Sequence, residues 1–344
     1  MESRKKYKVG MYGGTFAPLH LGHLECMIKA AGLCEELYIV ISYRNNKKDI
    51  PLKVKIRWIY RLTYHIGNIK IVTLEDRLES KEEYTAQFWE EDCKKVKESI
   101  GKKIDVVFCG SDYDENSFWN KCYEDSELII FPRNKYNSTV IRQNVYAHWE
   151  WMPRAVRSFF TKKVLIIGGE SAGKTTLTIN LANYFNTVYL EEVGRELSEL
   201  SGTDRFIMAE DFTRILLEHK AKEMRLLDRA DKVLFEDTDC LITRFFMDFL
   251  EDEGFEKNAK LADAIAAINS YDLILYLEPD VDWVQDGDRS EEIAANRYKY
   301  GEMIKDLYTG HGFALKSISG DYNERFDKAV QYVNEMLGEI KPGD

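Results

Sequence analysis

Residues 162–176 read KKVLIIGGESAGKTT: an apolar run, two glycines, and then polar residues that suit the start of a helix. Within this stretch, Gly168–Thr175 fits the pattern G-x-x-x-x-G-K-[ST] in full. In that pattern the glycines allow backbone N–H groups to surround phosphates, Lys174 brings a positive charge to the β- and γ-phosphates, and the Thr175 hydroxyl binds Mg²⁺. A strand, a glycine turn and a helix open a doubly wound α/β domain, and the stretch predicts such a domain here.

The chain begins in the same way. Residues 7–16 read YKVGMYGGTF, another apolar run that ends in glycines, and a helical pattern follows at 21–31. A length of 344 residues suits two domains of ordinary size. The segment 147–163 is rich in aromatic residues and arginine, which is typical of a packed connector rather than a flexible linker. We therefore predict two doubly wound parallel-sheet domains in tandem, residues 1–156 and 157–344.

Apolar strand patterns alternate with helical patterns in both halves, which predicts a parallel sheet in each. The predicted strands of the first half, after the opening one, are Glu36–Ser42, Ile69–Thr73, Asp105–Cys109 and Leu128–Phe131. The predicted strands of the second half are Val164–Ile167, Thr187–Glu191, Lys232–Glu236, Leu273–Leu277 and Ala314–Ile318. The predicted helices are Leu21–Ala31, Pro51–Gly67, Tyr84–Ile100, Lys174–Tyr184 and Ala209–Ala230.

The composition narrows the class of protein. A net charge of −11 argues against a nucleic-acid binder, which normally carries a basic face. The basic N-terminus lacks the apolar region of a signal peptide, and no apolar run reaches the ~18 residues of a spanning helix. The six cysteines are scattered without a CxxC pair, which indicates reduced thiols in a cytoplasmic protein. The composition leaves the oligomeric state open, and a homo-oligomer is compatible with it.

The glycine-rich loop of the second half is expected to bind ATP. Its sequence context, with an apolar strand before it and a helix after it, disfavours a chance lysine beside a glycine turn. Lys174 is the expected catalytic residue of the loop because it neutralises charge on the transferring group. The full set of expected ATP contacts is Gly168, Gly169, Glu170, Ser171, Ala172, Gly173, Lys174, Thr175 and Thr176.

Acidic residues follow two predicted strands of the second half. Asp237 and Asp239 come at the end of one strand, where a parallel sheet presents ligands, and Asp237 is the preferred Mg²⁺ ligand with Thr175. Glu191 and Glu192 end another strand, where small-molecule kinases keep a carboxylate for substrate hydroxyls, and Arg195 lies one turn further on. Glu192, Arg195 and Asp239 are predicted to bind substrate. Solvated loops and a surface helix cap are the alternatives.

The segment 277–301 combines a strand end, an aspartate-rich turn and two arginines, Arg289 and Arg297. This pattern suits a lid that closes on the transferring phosphate, and both arginines are predicted substrate ligands. A solvated charged helix is the alternative for Arg297. The domain has no helicase, GTPase or transport motif, so a small-metabolite kinase fits best. Trp283 and Tyr298 are candidates for stacking on a substrate ring, although core packing is the more frequent use of aromatic residues.

The first half carries a different motif. Residues Gly14–His23 fit G-x-F-x-P-x-H-x-G-H, with both histidines at the start of a predicted helix. His20 and His23 lie three residues apart and therefore face the same way. At a helix N-terminus they donate to phosphate oxygens beside the free backbone N–H groups. Zinc is the rival use of two histidines, but no third ligand lies nearby. The expected ATP contacts of this turn are Gly13, Gly14, Thr15 and Phe16.

A second segment, YNSTVIRQN at 136–144, follows the last predicted strand of the first half. Ser138 and Thr139 are predicted helix caps and ATP contacts, and Arg142 falls one turn into the helix. By itself the segment is an ordinary helix start. Together with the histidine motif it predicts a second anion site.

The two motifs of the first half resemble those of the nucleotidylyltransferase superfamily, in which H-x-G-H and I-S-x-T-x-I-R cooperate on the ATP triphosphate. Tyr136 and Asn137 depart from that pattern because they replace the usual Ile-Ser. TFAPLHLGH, at 15–23, is closest to the nicotinamide-nucleotide branch. An adenylyltransferase followed by a P-loop kinase resembles the bifunctional nicotinamide-nucleotide adenylyltransferase/ribosylnicotinamide kinase family, the NadR family. LEEVGRE, FEDTD and DVDWVQDGDR resemble its kinase segments, and the resemblance covers nearly the whole chain.

The resemblance implies two linked reactions. The second domain would phosphorylate nicotinamide riboside with ATP to nicotinamide mononucleotide (NMN), with Glu191 or Asp237 orienting or deprotonating the hydroxyl. The first domain would transfer the adenylyl group of a second ATP to NMN, giving NAD and pyrophosphate, with His20, His23 and Arg142 as its catalytic residues. Mg²⁺ would assist both reactions. Some members carry a helix-turn-helix repressor domain in front, and we expect this chain to lack it.

Alternatives remain at this level. The departures at Tyr136 and Asn137 leave open a chain in which only the kinase turns over and the first domain is a degenerate nucleotide sensor. Other substrates, such as another nucleoside or pantetheine phosphate, are compatible with both motifs.

Overall fold

The computed structural model describes residues 6–45, 49–77, 85–110, 122–132, 135–194, 208–249, 254–283 and 295–338. The chain divides into two compact units, Met1–Arg157 and Ser158–Asp344. Each unit contains one five-stranded sheet in which the neighbouring strands run parallel. The predicted fold class, two doubly wound parallel-sheet domains in tandem, is confirmed.

The first unit orders its strands β3-β2-β1-β4-β5. Its elements are β1 (Tyr7–Gly14), α1 (Leu21–Leu33), β2 (Cys34–Tyr43), α2 (Leu52–Thr63), β3 (Ile69–Glu75), α3 (Ala86–Ile100), β4 (Val106–Gly110), β5 (Glu127–Phe131), α4 (Ser138–Gln143) and α5 (Arg154–Arg157). The central strand β1 ends at Gly14, directly before the histidine turn. The turn therefore lies at the carboxyl edge of the sheet, where doubly wound folds bind ligands.

The second unit orders its strands β10-β9-β6-β8-β7. Its elements are β6 (Lys162–Gly168), α6 (Lys174–Tyr184), β7 (Tyr189–Leu190), α7 (Ala209–Leu227), β8 (Val233–Asp237), α8 (Cys240–Phe249), α9 (Phe255–Ile268), β9 (Leu273–Leu277), α10 (Arg297–Gly310), β10 (Lys316–Ile318) and α11 (Tyr322–Leu337). The central strand β6 ends in the glycine-rich loop, and its neighbour β8 ends at Asp237. The loop and the acidic turn therefore share one edge of the sheet.

The predicted elements of the second unit differ from the observed ones mainly at the sheet edges. The strand expected at Thr187–Glu191 is reduced to Tyr189–Leu190, and the one expected at Ala314–Ile318 to Lys316–Ile318. Both are edge strands, in which only one side is hydrogen-bonded to a neighbour, so short pairing is sufficient. In the first unit, the helix expected at Pro51–Gly67 ends at Thr63 and continues as a 3₁₀ turn.

One face of the second sheet packs on α7, α8, α9 and α10 around an apolar core that includes Leu165, Ile167 and Tyr276. A charged group lies buried on the same side: Lys163 Nζ donates to Glu223 Oε1 at 2.8 Å, and Lys220 Nζ donates to Glu223 Oε2 at 2.7 Å. Because Glu223 is 2% exposed, its two lysine partners must compensate the loss of hydration. The contacts tie α7 to the amino end of the central strand β6.

Candidate active sites

The histidine turn of the first unit is a reciprocal cap on α1. His20 is the N-cap residue, and its Nδ1 accepts a hydrogen bond from the His23 backbone N–H at 3.2 Å. His23 Nδ1 in turn accepts from the His20 backbone N–H at 3.4 Å. The two rings stack with centroids 3.6 Å apart and planes 12° from parallel. The pair is therefore held in one orientation by the same bonds that start the helix.

This capping geometry determines which ring nitrogen of each histidine can donate a hydrogen bond to a ligand. A ring nitrogen that accepts a hydrogen bond carries no proton, so in the neutral rings the proton lies on Nε2 of both residues. Burial lowers the pKa of His20 to about 4. Burial, with a smaller contribution from His20, also lowers the pKa of His23 well below its usual range. At neutral pH the turn thus presents two parallel, uncharged Nε2–H donors at a helix N-terminus, an arrangement suited to phosphate oxygens.

Phe16 supports the histidine pair from behind. Its ring is fully buried and meets the His23 ring edge-on, with centroids 5.0 Å apart. A Cβ at Gly14 would lie 3.0 Å from the Phe16 ring, which is tighter than an ordinary contact, so glycine lets the ring lie close to the end of β1. Because this ring is buried, the predicted ATP contact of Phe16 falls to its backbone and stays a prediction. Thr15 is exposed in the same turn, and Gly13 and Gly14 end β1.

The structure brings the second motif of the first unit to this turn. Ser138 Oγ donates to the Pro18 carbonyl at 3.0 Å, and Arg142 donates to the Ala17 carbonyl and, at 3.0 Å, to Thr139 Oγ1. Segments more than 100 residues apart in sequence are thereby joined just before His20. We expected such proximity because the two motifs cooperate in the family that they resemble.

The cap of α4 differs from the expectation. Ser138 and Thr139 were the predicted caps, but Asn137 is the N-cap residue, and its Oδ1 accepts from the backbone of Thr139 at 2.8 Å and of Val140 at 3.3 Å. The residue that departs from the nucleotidylyltransferase pattern therefore has a structural use. It satisfies the first N–H groups of the helix and leaves the Ser138 hydroxyl for the Pro18 turn.

In the second unit the glycine-rich loop and the acidic turn after β8 are in contact. Thr175 Oγ1 donates to Asp237 Oδ2 at 2.5 Å, and Asp237 is almost fully buried. Lys174 Nζ donates to the Gly169 carbonyl at 3.0 Å, across the mouth of the loop. Gly168 starts the loop in close contact with β9, because a Cβ there would lie 2.8 Å from the Leu277 carbonyl oxygen. The remaining loop residues expected to bind ATP, Glu170, Ser171, Ala172, Gly173 and Thr176, lie in the loop or in the first turn of α6.

The contact between Thr175 and Asp237 also tests whether the residues fit Mg²⁺. Mg²⁺ prefers hard oxygen ligands and is usually held by one or two protein oxygens together with substrate phosphates. A hydroxyl and a carboxylate lie side by side at the end of the loop, which is the donor set that this ion takes. The residues therefore fit the ion.

Asp239, a predicted substrate ligand, lies in a buried network of hydrogen bonds. It is 2% exposed, and its carboxylate accepts from Leu241 N at 2.9 Å, from Tyr271 Oη at 3.0 Å and from Tyr308 Oη. These bonds direct the carboxylate into the protein. Asp239 instead anchors the turn that presents Asp237, in which Thr238 adopts a left-handed backbone conformation with φ of 66°.

The tyrosines that bind Asp239 were not predicted as site residues. Tyr271 precedes β9 and Tyr308 lies near the end of α10, so no local pattern connects them with the acidic turn. Burial, followed by the charge of Asp239, raises the pKa of both hydroxyls well above the usual range. They therefore remain donors at any ordinary pH.

Some of the other predicted substrate ligands lie within the described residues, and others lie outside them. Glu191 is exposed at the end of β7 and accepts from Tyr189 Oη at 3.1 Å, and Glu192 is half-buried beside it. Arg297 begins α10, donates through Nη1 to the Val281 carbonyl at 2.7 Å and stacks on the Trp283 ring at 5.7 Å. Arg195 and Arg289 lie outside the described residues.

Arg297 has donor groups that the described residues do not use. Its Nε and Nη2 are shielded from solvent and meet no hydrogen-bond acceptor in the described part of the chain. Trp283, one of the two stacking candidates, is partly buried against the core and under Arg297, whereas Tyr298 is 69% exposed. A buried guanidinium with unused N–H groups is suited to an anionic ligand.

Comparisons with known proteins agree with this description. Residues 11–163 match the family described as cytidylyltransferase-like, and residues 163–325 match the family described as AAA domain. The chain is 27% identical to the trifunctional NAD biosynthesis/regulator protein NadR of Escherichia coli over 98% of its own length and 85% of that protein. It is 31% identical to the phosphopantetheine adenylyltransferase of Mycoplasma capricolum over 35% of its own length and 97% of that protein.

A solved NadR structure in complex with NR superposes with a TM-score of 0.80 at 26% identity and covers 98% of this chain and 97% of that one. The fold and the two sites define a nucleotidyltransferase domain followed by a P-loop kinase domain, each built to handle nucleotides. The chain is similar to NadR-family proteins over nearly its whole length. No helix in the described ranges is long and apolar enough to cross a membrane.

Proposed function

We propose that the chain converts nicotinamide riboside to NAD in two ATP-dependent steps, one in each unit. The second unit phosphorylates the riboside to NMN, and the first unit adenylylates NMN. The observation that carries the proposal is the presence of two separate phosphate sites in one chain. One is the glycine-rich loop with its contact between Thr175 and Asp237, and the other is the stacked pair of histidines. The NR in the solved relative supports the choice of the first substrate.

In the kinase site the 5′-hydroxyl of the riboside attacks the γ-phosphorus of ATP, and ADP leaves. Lys174 and Arg297 stabilise the negative charge on the transferring group. We assign deprotonation of the hydroxyl to Glu191 rather than Asp237, because Asp237 is almost fully buried beside Thr175 and suits Mg²⁺, whereas Glu191 is exposed at the sheet edge. Thr175 and Asp237 would hold Mg²⁺, which when bound neutralises phosphate charge.

In the transferase site a 5′-phosphate oxygen of NMN attacks the α-phosphorus of ATP, and pyrophosphate leaves. The attacking phosphate is ionised at neutral pH, so the protein needs to supply no general base. The neutral Nε2–H groups of His20 and His23 donate to phosphate oxygens, and Arg142 adds a positive charge. Removing one such donor is expected to cost about 2.7–4 kcal/mol in the activation barrier, by analogy with oxyanion holes.

The direct test is to incubate the purified chain with ATP, Mg²⁺ and nicotinamide riboside and to follow the products by mass spectrometry. The proposal requires NMN to appear first and NAD to follow at its expense. NMN without NAD would leave the kinase alone and make the first unit a nucleotide sensor. Absence of both products from folded protein would reject the proposal.

A further inference from the structure

Arg325 of α11 lies in the second unit, far in sequence from the glycine-rich loop, and yet contacts it. The side chain is 5% exposed, and its Nη1 donates to the Ala172 carbonyl at 2.8 Å. Ala172 is the residue just before Gly173, Lys174 and Thr175 of the loop. The contact thus reaches the part of the loop that begins α6.

The same guanidinium joins the loop to two further segments. Nη2 donates to the Glu278 carbonyl at 2.8 Å and to Asp280 Oδ1, which places the end of β9 against the loop. Nε donates to the Gly320 carbonyl at 2.8 Å, and the Gly320 N–H donates to Asp280 Oδ2 at 2.8 Å. Both segments follow the carboxyl ends of strands, so Arg325 holds together three parts of the ligand edge of the sheet.

The negative charge of Asp280 balances the positive charge of the buried Arg325 guanidinium. Burial alone would raise the pKa of Asp280, but the bond from the Gly320 N–H and the charge of Arg325 lower it instead. Asp280 is therefore ionised at neutral pH and compensates the buried guanidinium. The group also has a rigid base, because Asp321 caps α11 through bonds of 2.9 Å to the backbone of Asn323 and Glu324.

The contact between Arg325 and the Ala172 carbonyl also orients the next backbone N–H of the loop, which belongs to Gly173. The peptide bond between Ala172 and Gly173 is planar and trans, so its carbonyl and its N–H point in opposite directions. Fixing the carbonyl toward Arg325 fixes the Gly173 N–H toward the other side of the loop. Loops of this type bind phosphates with their backbone N–H groups, and an N–H that is already oriented costs no reorganisation when ATP binds.

We propose that Arg325 is a positioning residue for the kinase reaction: it holds the peptide between Ala172 and Gly173 in the orientation that binds ATP phosphates. The inference rests on the proposed kinase function of the second unit. The residue touches no substrate and acts through the loop backbone. Lysine at this position would keep the charge opposite Asp280, but its single ammonium group cannot reproduce the planar fork that serves Ala172, Glu278 and Gly320.

The test compares full-length wild type with Arg325→Lys, Asp280→Asn and the control Lys328→Met, which removes a positive charge one turn further along α11. For Arg325→Lys we expect the KM for ATP in riboside phosphorylation to rise about tenfold or more, with the KM for the riboside nearly unchanged. Asp280→Asn should shift the KM for ATP in the same direction by less. Lys328→Met should leave it at the wild-type value.

Hydrogen exchange supplies a second measurement that needs no catalysis. Amide exchange in a peptide covering 165–176 should be faster in Arg325→Lys than in wild type without nucleotide, while a peptide covering 233–237 stays protected. Unchanged loop exchange together with an unchanged KM for ATP would overturn the proposal. If Arg325→Lys does not fold, the same two outcomes are read from Asp280→Asn. If the wild type fails to phosphorylate the riboside, the function is wrong, and loop exchange still decides the role of Arg325.

Discussion

Burial keeps His20 and His23 uncharged at neutral pH in the folded protein. Their protonation is therefore linked to unfolding. Burial lowers the pKa of His20 from an ordinary 6.5 to about 4, and it lowers the pKa of His23 well below its usual range. Between pH 6.5 and about pH 4, His20 binds more protons in the unfolded chain than in the folded one, so a falling pH favours unfolding. We predict that the first unit loses stability as the pH falls from about 6.5 toward 4, and retains it above that range.

The measurement is an NMR titration of the histidine ring protons together with chemical denaturation at several pH values. Both rings should stay neutral, in the Nε2–H form, from pH 8 to about pH 5. His23→Asn, which keeps a side-chain acceptor for the helix cap, should weaken the pH dependence of stability. A ring that titrates near 6.5 in the folded protein would contradict this account.

Arg297 is predicted to matter more for activity than for stability. Its Nε and Nη2 are buried without an acceptor in the described residues, which is unfavourable until an anion binds. Arg297→Met should therefore leave the midpoint of thermal unfolding unchanged or raise it, while kcat for riboside phosphorylation falls about tenfold or more. Lys299→Met, two residues along the same helix and on its exposed side, is the control. A clear loss of stability with little loss of activity would assign Arg297 to the fold alone.

At the scale of elements, the acidic turn after β8 depends on one helix and on the segment before β9, neither of which follows it directly in the sequence. Tyr308 of α10 and Tyr271 before β9 both donate to Asp239, next to the left-handed Thr238. Tyr308→Phe would leave a buried carboxylate with one donor fewer. We expect this change to lower the free energy of unfolding of the second unit by about 1.5–3 kcal/mol.

The same change should reduce riboside phosphorylation and spare adenylyl transfer, because Asp239 belongs to the second unit only. Tyr332→Phe, which changes a hydroxyl on α11, provides the control. Urea denaturation followed by both activity assays makes the comparison. Equal loss of both activities in a folded Tyr308→Phe protein would show that the network does not act through the turn of Asp237.

At this scale, the sequence predicts those helix starts and ends that are determined by residues adjacent in the chain. The start of α1 at Leu21 and the bounds of α6 at Lys174–Tyr184 were predicted because a glycine turn and a helix follow directly in the chain. The local pattern predicts Ser138 and Thr139 as the caps of α4, whereas Asn137 is the N-cap residue, because neighbouring polar residues compete for the same backbone groups and only the fold decides.

Interactions between distant segments left no trace in the sequence pattern. The position of Asp239 after β8 predicts a substrate ligand, but the tyrosines that turn it inward lie 32 and 69 residues away in the sequence. No local pattern points to Arg325, which lies 153 residues from Ala172. Such contacts require the sheet order, which brings the loop, β9 and the start of α11 to one edge.

At the scale of the whole molecule, we propose that two independent sites carry out consecutive reactions in one chain. Each unit has its own sheet and its own core, and each carries one of the two proposed phosphate sites. Damage to one site should therefore leave the other reaction intact. NMN, the product of the second unit, is by its chemistry the substrate of the first, which gives the pairing of the units a purpose.

The most direct test is the mass-resolved product profile of Lys174→Ala and His23→Ala with nicotinamide riboside, and of the same proteins with NMN, in the presence of ATP and Mg²⁺. We predict that His23→Ala accumulates NMN from the riboside and forms little NAD. Lys174→Ala should form no NMN from the riboside but convert supplied NMN to NAD at the wild-type rate. Loss of both reactions from either folded variant would contradict the account of two separate sites.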